Sequence, residues 1–306
     1  MMNRGTLHVS VIILLLVMLI GMGLGQERQV RWQRSEPATQ PELQLFHSPL
    51  VIDLPTATTL QKYDFEFEVS HRFIPTTGSG IRDFYGLDGP AHIRLALAFA
   101  PSDRMVVKLG RTNFNDNIDL WLKYKFLQIR HPKLPVLIAA KAGGAWNSWP
   151  EYPEISQRKK SDLRNFQAYG QLIINTMIGK RFGIGLVPSY LYNTDIRWGP
   201  ETDDSETKDT FRMGTYLQFY VSPLWSIMWE WSPYIAGYKS LVAQEFNPMS
   251  FGIELETGGH FFKIFLTNSQ YINTSQYLAG ADISVDKNDW RIGFMITRLL
   301  KFGKKK

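Results

Sequence analysis

Ser70 and His71 stand side by side in the stretch YDFEFEVSHRF, Tyr63 to Phe73. A serine with an imidazole base in reach is the pairing that acyl transfer uses. Strand geometry argues against it here, because consecutive side chains of an extended segment point to opposite faces. Ser269, in LTNSQ, is the other serine weighed for that role. His47, His71, His92, His131 and His260 are dispersed, with no His-x-x-x-His pair and no carboxylate cluster that would bind a metal. His71 and His92 are the two that neighbouring strands could bring together, and solvated or amide-bonded imidazoles are the simpler reading. The chain has no cysteine, which removes thiolate ligands, disulfides and a cysteine nucleophile. GGAW and ETGG precede no helical pattern, so their glycines read as close-packing or turn positions rather than phosphate loops. These residues predict no enzyme, no cofactor and no metal site.

What the opening stretch does carry is a row of ions. Asp64, Glu66, Glu68, Ser70 and Arg72 alternate with Phe65, Phe67, Val69 and Phe73, His71 being the exception on the apolar side. The same two-sided pattern recurs down the chain. It nominates Asp64, Glu66, Glu68, Arg72, His92, Arg94, Lys108, Lys123, Lys125, Glu254, Glu256, Lys263 and Arg291 as the lining of a wet interior. Glu66 and Glu68 are expected near Arg94, and near Arg291 if the last strand closes on the first. Lys108 is expected to face Lys123 and Lys125, and Glu254, Glu256 and Lys263 to form a second mixed group. Such a row either fills a narrow lumen with ion pairs or serves as a selectivity lining for small solutes. Opposite signs along one wall argue against strong ion selectivity.

The elements that would position these ions are strands. Residues 1–25 have a positive start at Arg4, an apolar core from Val9 to Ile20 and small residues at Gly23 and Gly25. They read as a cleaved secretory signal peptide, since the run is shorter than the roughly 20 residues a spanning helix needs. Residues 26–59 are polar and proline-bearing without period, a periplasmic leader that could plug a lumen. Residues 60–302 alternate apolar and polar positions in about twelve segments of roughly 9 to 12 residues, the length of a bilayer-crossing strand. Residues 303–306 are a basic tail.

The connections alternate in length. PSD, HPK, GKR, SP and GG join some strands; Ile74 to Gly89, Ser148 to Arg164, Asn193 to Asp209 and Asn268 to Lys287 join others, with NFNDN as a short exception on the long side. Outer-membrane barrels have this asymmetry, with tight periplasmic turns and longer external loops. A soluble barrel of so many strands would need an apolar filling wider than side chains supply. In lipid the pattern makes sense inverted: Phe65, Phe67, Leu95, Leu97, Phe99, Leu120 and Leu122 touch acyl chains while ions line the inside. Only a closed sheet satisfies every backbone group there. Trp146, Trp149, Trp225, Trp229, Trp231, Tyr190 and Tyr192 bunch near expected strand ends, as an interfacial belt would. The fold expected is all-β: a closed antiparallel up-and-down transmembrane barrel. Basic residues are scattered among acids, which gives no nucleic-acid surface.

The segments LPTATTLQKYDFEFEVSHRF, FYGLDGPAHIRLAL, DRMVVKLGRTNFNDNIDLWLKYKFL and GIELETGGHFFKIFLTNSQ resemble a family of uncharacterised Bacteroidetes-type outer-membrane β-barrels, a domain of unknown function. The resemblance runs from about Leu54 to the end and implies an outer-membrane barrel without an established activity. It brings no site residues. Phe302 is followed by Gly303 and three lysines, so the terminal aromatic that many such barrels use in assembly is displaced. The His-x-Ser-Asn-Gly signature of barrel phospholipases is absent. The expected partners are outer-membrane lipid and the barrel-assembly machinery during biogenesis, with a small solute as a further candidate and no protein partner specified. The sequence leaves two functions: a narrow pore or transporter for small solutes or ions, or a non-conducting scaffold that binds through its loops or leader.

Overall fold

A computed structural model describes residues 41–148, 159–194, 208–239, 246–287 and 289–301. The signal peptide, the first half of the leader, Trp149 and the basic tail lie outside the described residues. Residues 42–306 form one compact unit, and the description that follows concerns it.

The strands are β1 (Phe65–Phe73), β2 (Ala91–Ser102), β3 (Met105–Thr112), β4 (Asn117–Ile129), β5 (Val136–Asn147), β6 (Phe166–Ile178), β7 (Phe182–Tyr192), β8 (Thr210–Tyr220), β9 (Trp225–Trp231), β10 (Tyr234–Gly237), β11 (Met249–Glu256), β12 (His260–Thr267) and β13 (Arg291–Leu300). Apart from β10, each pairs antiparallel with the strands next to it in the chain. β9 pairs with β11 past the short β10, and β13 returns to β1, so twelve strands close into a ring. β10 is an extra strand outside the ring, held only by the outer end of β8. The sequence pattern runs unbroken from Leu224 to Ile235, but Ser232-Pro233 ends β9, because proline cannot donate to the ladder.

Burial alternates along the strands as the sequence pattern requires. In β1, Glu66, Glu68, Ser70 and Arg72 are buried while Phe67 stands out; in β4, Asp119, Lys123 and Lys125 are buried while Ile118, Leu120, Tyr124 and Phe126 are exposed. A sheet that buries lysines and exposes leucines is inverted relative to a soluble protein, and it suits a hydrocarbon surround. Leu97 sits on this outer face between Phe67 and Leu109 in register, near the middle of β2. Leu97→Arg is expected to destabilise the barrel by about 2–4 kcal/mol, the cost of a charge near the bilayer midplane. Urea titration of the vesicle-folded protein measures it.

Two segments fill the ring. Residues 43–60 enter from the short-turn end and double back as a hairpin. Leu50 and Pro55 bridge, Val51 N donates to Leu54 O at 2.9 Å, and Thr56 N donates to Pro49 O at 2.9 Å. From the opposite end, the connection between β12 and β13 folds inward and carries a short helix, α1 (Thr274–Ala279), whose N-cap Asn273 accepts from Gln276 N. Val51, Ile52, Leu54, Tyr277 and Leu278 are all buried. The hairpin hydrogen-bonds to side chains of β1, β4, β6, β8, β9 and β12, strands on all sides of the ring, which places it within.

The lumen has two halves. On the side of β5, β6 and β7 the inward residues include Leu137, Ala139, Ile173, Met177, Val187 and Leu191, packed with Leu45, Phe46, Val51 and Leu54 of the hairpin. Between them stand Lys141, Gln167, Gln171, Asn175 and Ser189, also buried, so these inner faces are mixed. The expectation of a wet, ionic interior is corrected for the apolar part of this side, because the hairpin supplies a small core for those residues to meet.

Candidate functional site

The other half of the lumen, around β1 to β4, β9 and β12, is ionic, and small residues decide who meets whom. Ala98 lies in register between Glu66 and Lys108, and Ala96 between Glu68 and Gly110. These short side chains leave space for Lys108 to reach across β2. Its Nζ lies 2.8 Å from Glu66 Oε1 and 2.8 Å from Glu68 Oε2. Arg94 likewise passes over Gly110 to pair bidentately with Asp119 on β4, while its Nε stands 3.3 Å from Glu68. A Cβ on Gly110 would fall 2.2 Å from the Arg94 guanidinium. Gly110→Val is therefore expected to break the Arg94–Asp119 pair and to destabilise by about 3–5 kcal/mol, the cost of stranding a buried charge. The temperature at which the folded band is lost on a gel reports it.

Sequence register alone expected Lys108 to face Lys123 and Lys125. That is corrected: Lys108 pairs in register with Trp121, and its charge turns toward β1. Lys123 instead donates to three hairpin carbonyls, Thr58 O at 2.6 Å, Thr56 O at 2.8 Å and Pro49 O at 3.3 Å. Lys125 donates to Leu43 O at 3.0 Å and stands 3.3 Å from Glu42. Lys263 pairs with Glu254 at 3.1 Å and donates to Leu50 O at 2.5 Å and Val51 O at 2.8 Å. Glu256 is half-buried and meets His47 at 2.9 Å. Arg291 is corrected as well. It lies at the outer end of β13 and binds Asp282 at 2.8 Å, away from Glu66 and Glu68. His92 points inward to Gln270 O at 3.0 Å, whereas His71 stacks on Phe294 on the outer face, 4.6 Å between ring centres, so the two do not approach. Asp64 is buried at the short-turn end, just before β1.

Five ions of this lumen were not among the sequence candidates. Glu230 accepts from the backbone N–H groups of Ile52, Asp53 and Leu54 at 3.2, 3.0 and 3.1 Å, which fixes the hairpin tip. Asp53 pairs with Arg72 Nη2 at 3.0 Å, and the other Arg72 amine donates to Ser269 O and Tyr271 O at 3.2 and 2.8 Å. Arg72 thus holds the hairpin with one nitrogen and the opposing loop with the other. Arg212 donates to Leu278 O at 2.6 Å and Ala279 O at 3.1 Å, the last carbonyls of α1, where a cation suits the helix end. Lys141 donates to Thr274 at 2.7 Å and lies over the Trp121 ring, and Asp119 serves Arg94. Lys141, Arg212 and Glu230 each stand alone as a charge in an otherwise uncharged strand, and that isolation was the readable signal. Where hairpin and loop meet lies a cavity of about 20 Å³, lined by Asp53, Glu68, Arg94, Lys108, Lys141 and Asn273 among others.

At the mouth of the hairpin, burial pushes the Glu42 carboxyl up but Arg104, at 2.8 Å, and Lys125 pull it further down, below its ordinary value of 4.5. A depressed carboxylate stabilises above the ordinary range and loses that contribution as pH falls through its folded value. Acidification below about pH 4 is expected to loosen residues 42–44 first, seen as faster amide exchange at Leu43, whose N–H donates to Gln128.

A family described as a membrane-bound β-barrel domain, DUF5777, matches residues 46–300. The chain belongs to this family. The match takes in the hairpin from Phe46 onward. Among solved structures the barrel is similar to the NanC porin (TM-score 0.46, 8% identity, 78% of this chain and 100% of that one). It is similar to an outer membrane channel from Pseudomonas putida F1 (TM-score 0.46, 10% identity, 81% and 100%) and to outer membrane phospholipase A from Escherichia coli (TM-score 0.37, 11% identity, 78% and 92%). These likenesses concern the fold and bring no substrate with them. No curated protein matches in sequence.

Proposed function

We propose that the protein works in the outer membrane as a closed barrel, a scaffold that does not conduct in its described state and offers its N-terminal residues on one side, and its long loops on the other, to a partner. The observation that carries this reading is the apolar packing of the hairpin against β5, β6 and β7. Water does not wet such a core, and the 20 Å³ cavity between hairpin and loop has room for about one molecule. The signal-like residues 1–25 support export, and the inverted sheet supports a lipid surround; the Bacteroidetes-type origin is our reading of the motifs alone. Assembly would proceed through the barrel-assembly machinery. Purified protein in planar bilayers is expected to stay silent, and steady single-channel steps from the intact chain would overturn the proposal.

One observation favours a second reading, a gated narrow pore for small solutes or ions. Lys123, Lys263 and Glu230 hold the hairpin through its backbone, by polar contacts that water can replace if the segment is drawn out. Reversible openings under voltage, absent at rest, would support it.

A further inference from the structure

Where β10 leaves the ring, the outer surface of β6, β7 and β8 carries a notch of about 300 Å³, near the lower end of small-ligand pockets. Gly170, Pro188, Tyr190, Phe211 and Met213 line it, and Ile235 of β10 completes it. Register explains the grouping. Gly170 lies beside Tyr190, Tyr190 beside Phe211 and Pro188 beside Met213, so these residues are neighbours on the outward face. Gly170 makes the space. Among the described residues nothing stands within 4 Å of a Cβ placed there, so the missing side chain is open volume and not close packing. Phe211 and Ile235 are exposed.

The notch lies near the ends of β7 and β8 that carry the long connection, which is the external side if long loops face out. Above it the lining turns polar. Tyr190 bonds to Asp209, and Lys208 Nζ stands 4.6 Å from the Tyr238 ring. An apolar cleft under tyrosines and a lysine is the arrangement of a membrane interface. The cleft is also continuous with the outer face of the barrel, which in a membrane-bound domain is already covered by lipid. An unfilled cleft there would forfeit dispersion contacts along all its walls.

We infer that the notch between Gly170, Pro188, Met213 and Ile235 seats one acyl chain of an outer-leaflet lipid, held longer than the surrounding lipid. The inference rests on the outer-membrane reading for its leaflet, not for its existence. The test uses the intact protein in vesicles carrying spin-labelled lipid, together with native mass spectrometry of protein extracted from its membrane in mild detergent. The intact barrel is expected to show a motionally restricted acyl component and a retained lipid mass. Gly170→Phe fills the notch and is expected to reduce both at least fivefold. Met213→Trp narrows it from the other wall and serves if the first variant fails to migrate as a folded barrel. Equal restricted fractions in the intact protein and both variants would overturn the inference. Retained phospholipid without lipopolysaccharide would overturn the outer-leaflet assignment. Neither result depends on conductance, so failure here is distinct from failure of the closed-barrel reading.

Discussion

A barrel stripped of both inserts, with residues 43–60 deleted and residues 269–283 replaced by a short glycine-serine linker, is expected to conduct steadily where the intact protein is expected to stay silent. The argument starts from ring size. An eight-stranded barrel is just filled by its own side chains, whereas sixteen or more strands leave an aqueous channel. Twelve strands fall between, too wide for side chains alone. The space is taken by the hairpin from one end and α1 with its flanks from the other. Removing them leaves Glu230, Lys123 and Lys263 without their hairpin backbone partners and Arg72, Lys141 and Arg212 without their loop partners, and ions so exposed recruit water. Removing the hairpin alone leaves Arg72, Lys141 and Arg212 bound to the loop, so the outer half stays filled and leakage is smaller. A doubly stripped barrel that folds, by its heat-modifiable migration, and stays silent would show that the wall itself closes.

The barrel was legible because lipid imposes a strict period. Phe65-Glu66-Phe67-Glu68 admits one arrangement once one face is oil, and a single slip would put carboxylates in hydrocarbon. Lengths of connections gave the two ends of the ring. The filling was far less legible. The leader before Leu60 shows no period because it is no strand of the wall, and many of its polar contacts to the wall are made by backbone N–H and C=O groups, which every residue owns. Glu230 recognises three amides and Lys123 three carbonyls, and neither interaction leaves a mark on the hairpin's sequence. The marks are on the wall. Gly183 stands where a Cβ would lie 2.6 Å from the Phe46 ring, and an inward glycine in a strand signals a close approach without naming what approaches. The same holds for Ala96 and Ala98. They look like filler on the inner face of β2, yet they set which ions pair, and that is why Lys108 turned from Lys123 to the carboxylates of β1.

Arg72→Met is expected to release the hairpin tip and the opposing loop together. The guanidinium is buried, stacks 5.0 Å from the Phe265 ring and joins Asp53 of the hairpin to the carbonyls of Ser269 and Tyr271. Without it Asp53 is left in a site where burial already pushes its carboxyl up against the pull of Arg72. Removing one partner of such a buried pair costs about 3–5 kcal/mol, more than a surface ion pair by several fold. That is enough to raise local opening of both inserts by roughly two to four orders of magnitude without unfolding the ring, since each 1.4 kcal/mol is tenfold. Amide exchange should therefore quicken in residues 51–54 and 269–273 alike while β4 to β7 stay protected. Asp53→Asn in the same chain removes the stranded charge, and the double variant is expected to recover part of the protection at the tip but not at Tyr271, whose carbonyl still lacks its donor. Exchange that rises at the tip alone would mean that hairpin and loop are anchored independently. Movement of both would mean that a pull on the N-terminal side is felt at the external loop through one arginine, a coupling that a scaffold open to partners on both sides of the membrane could use.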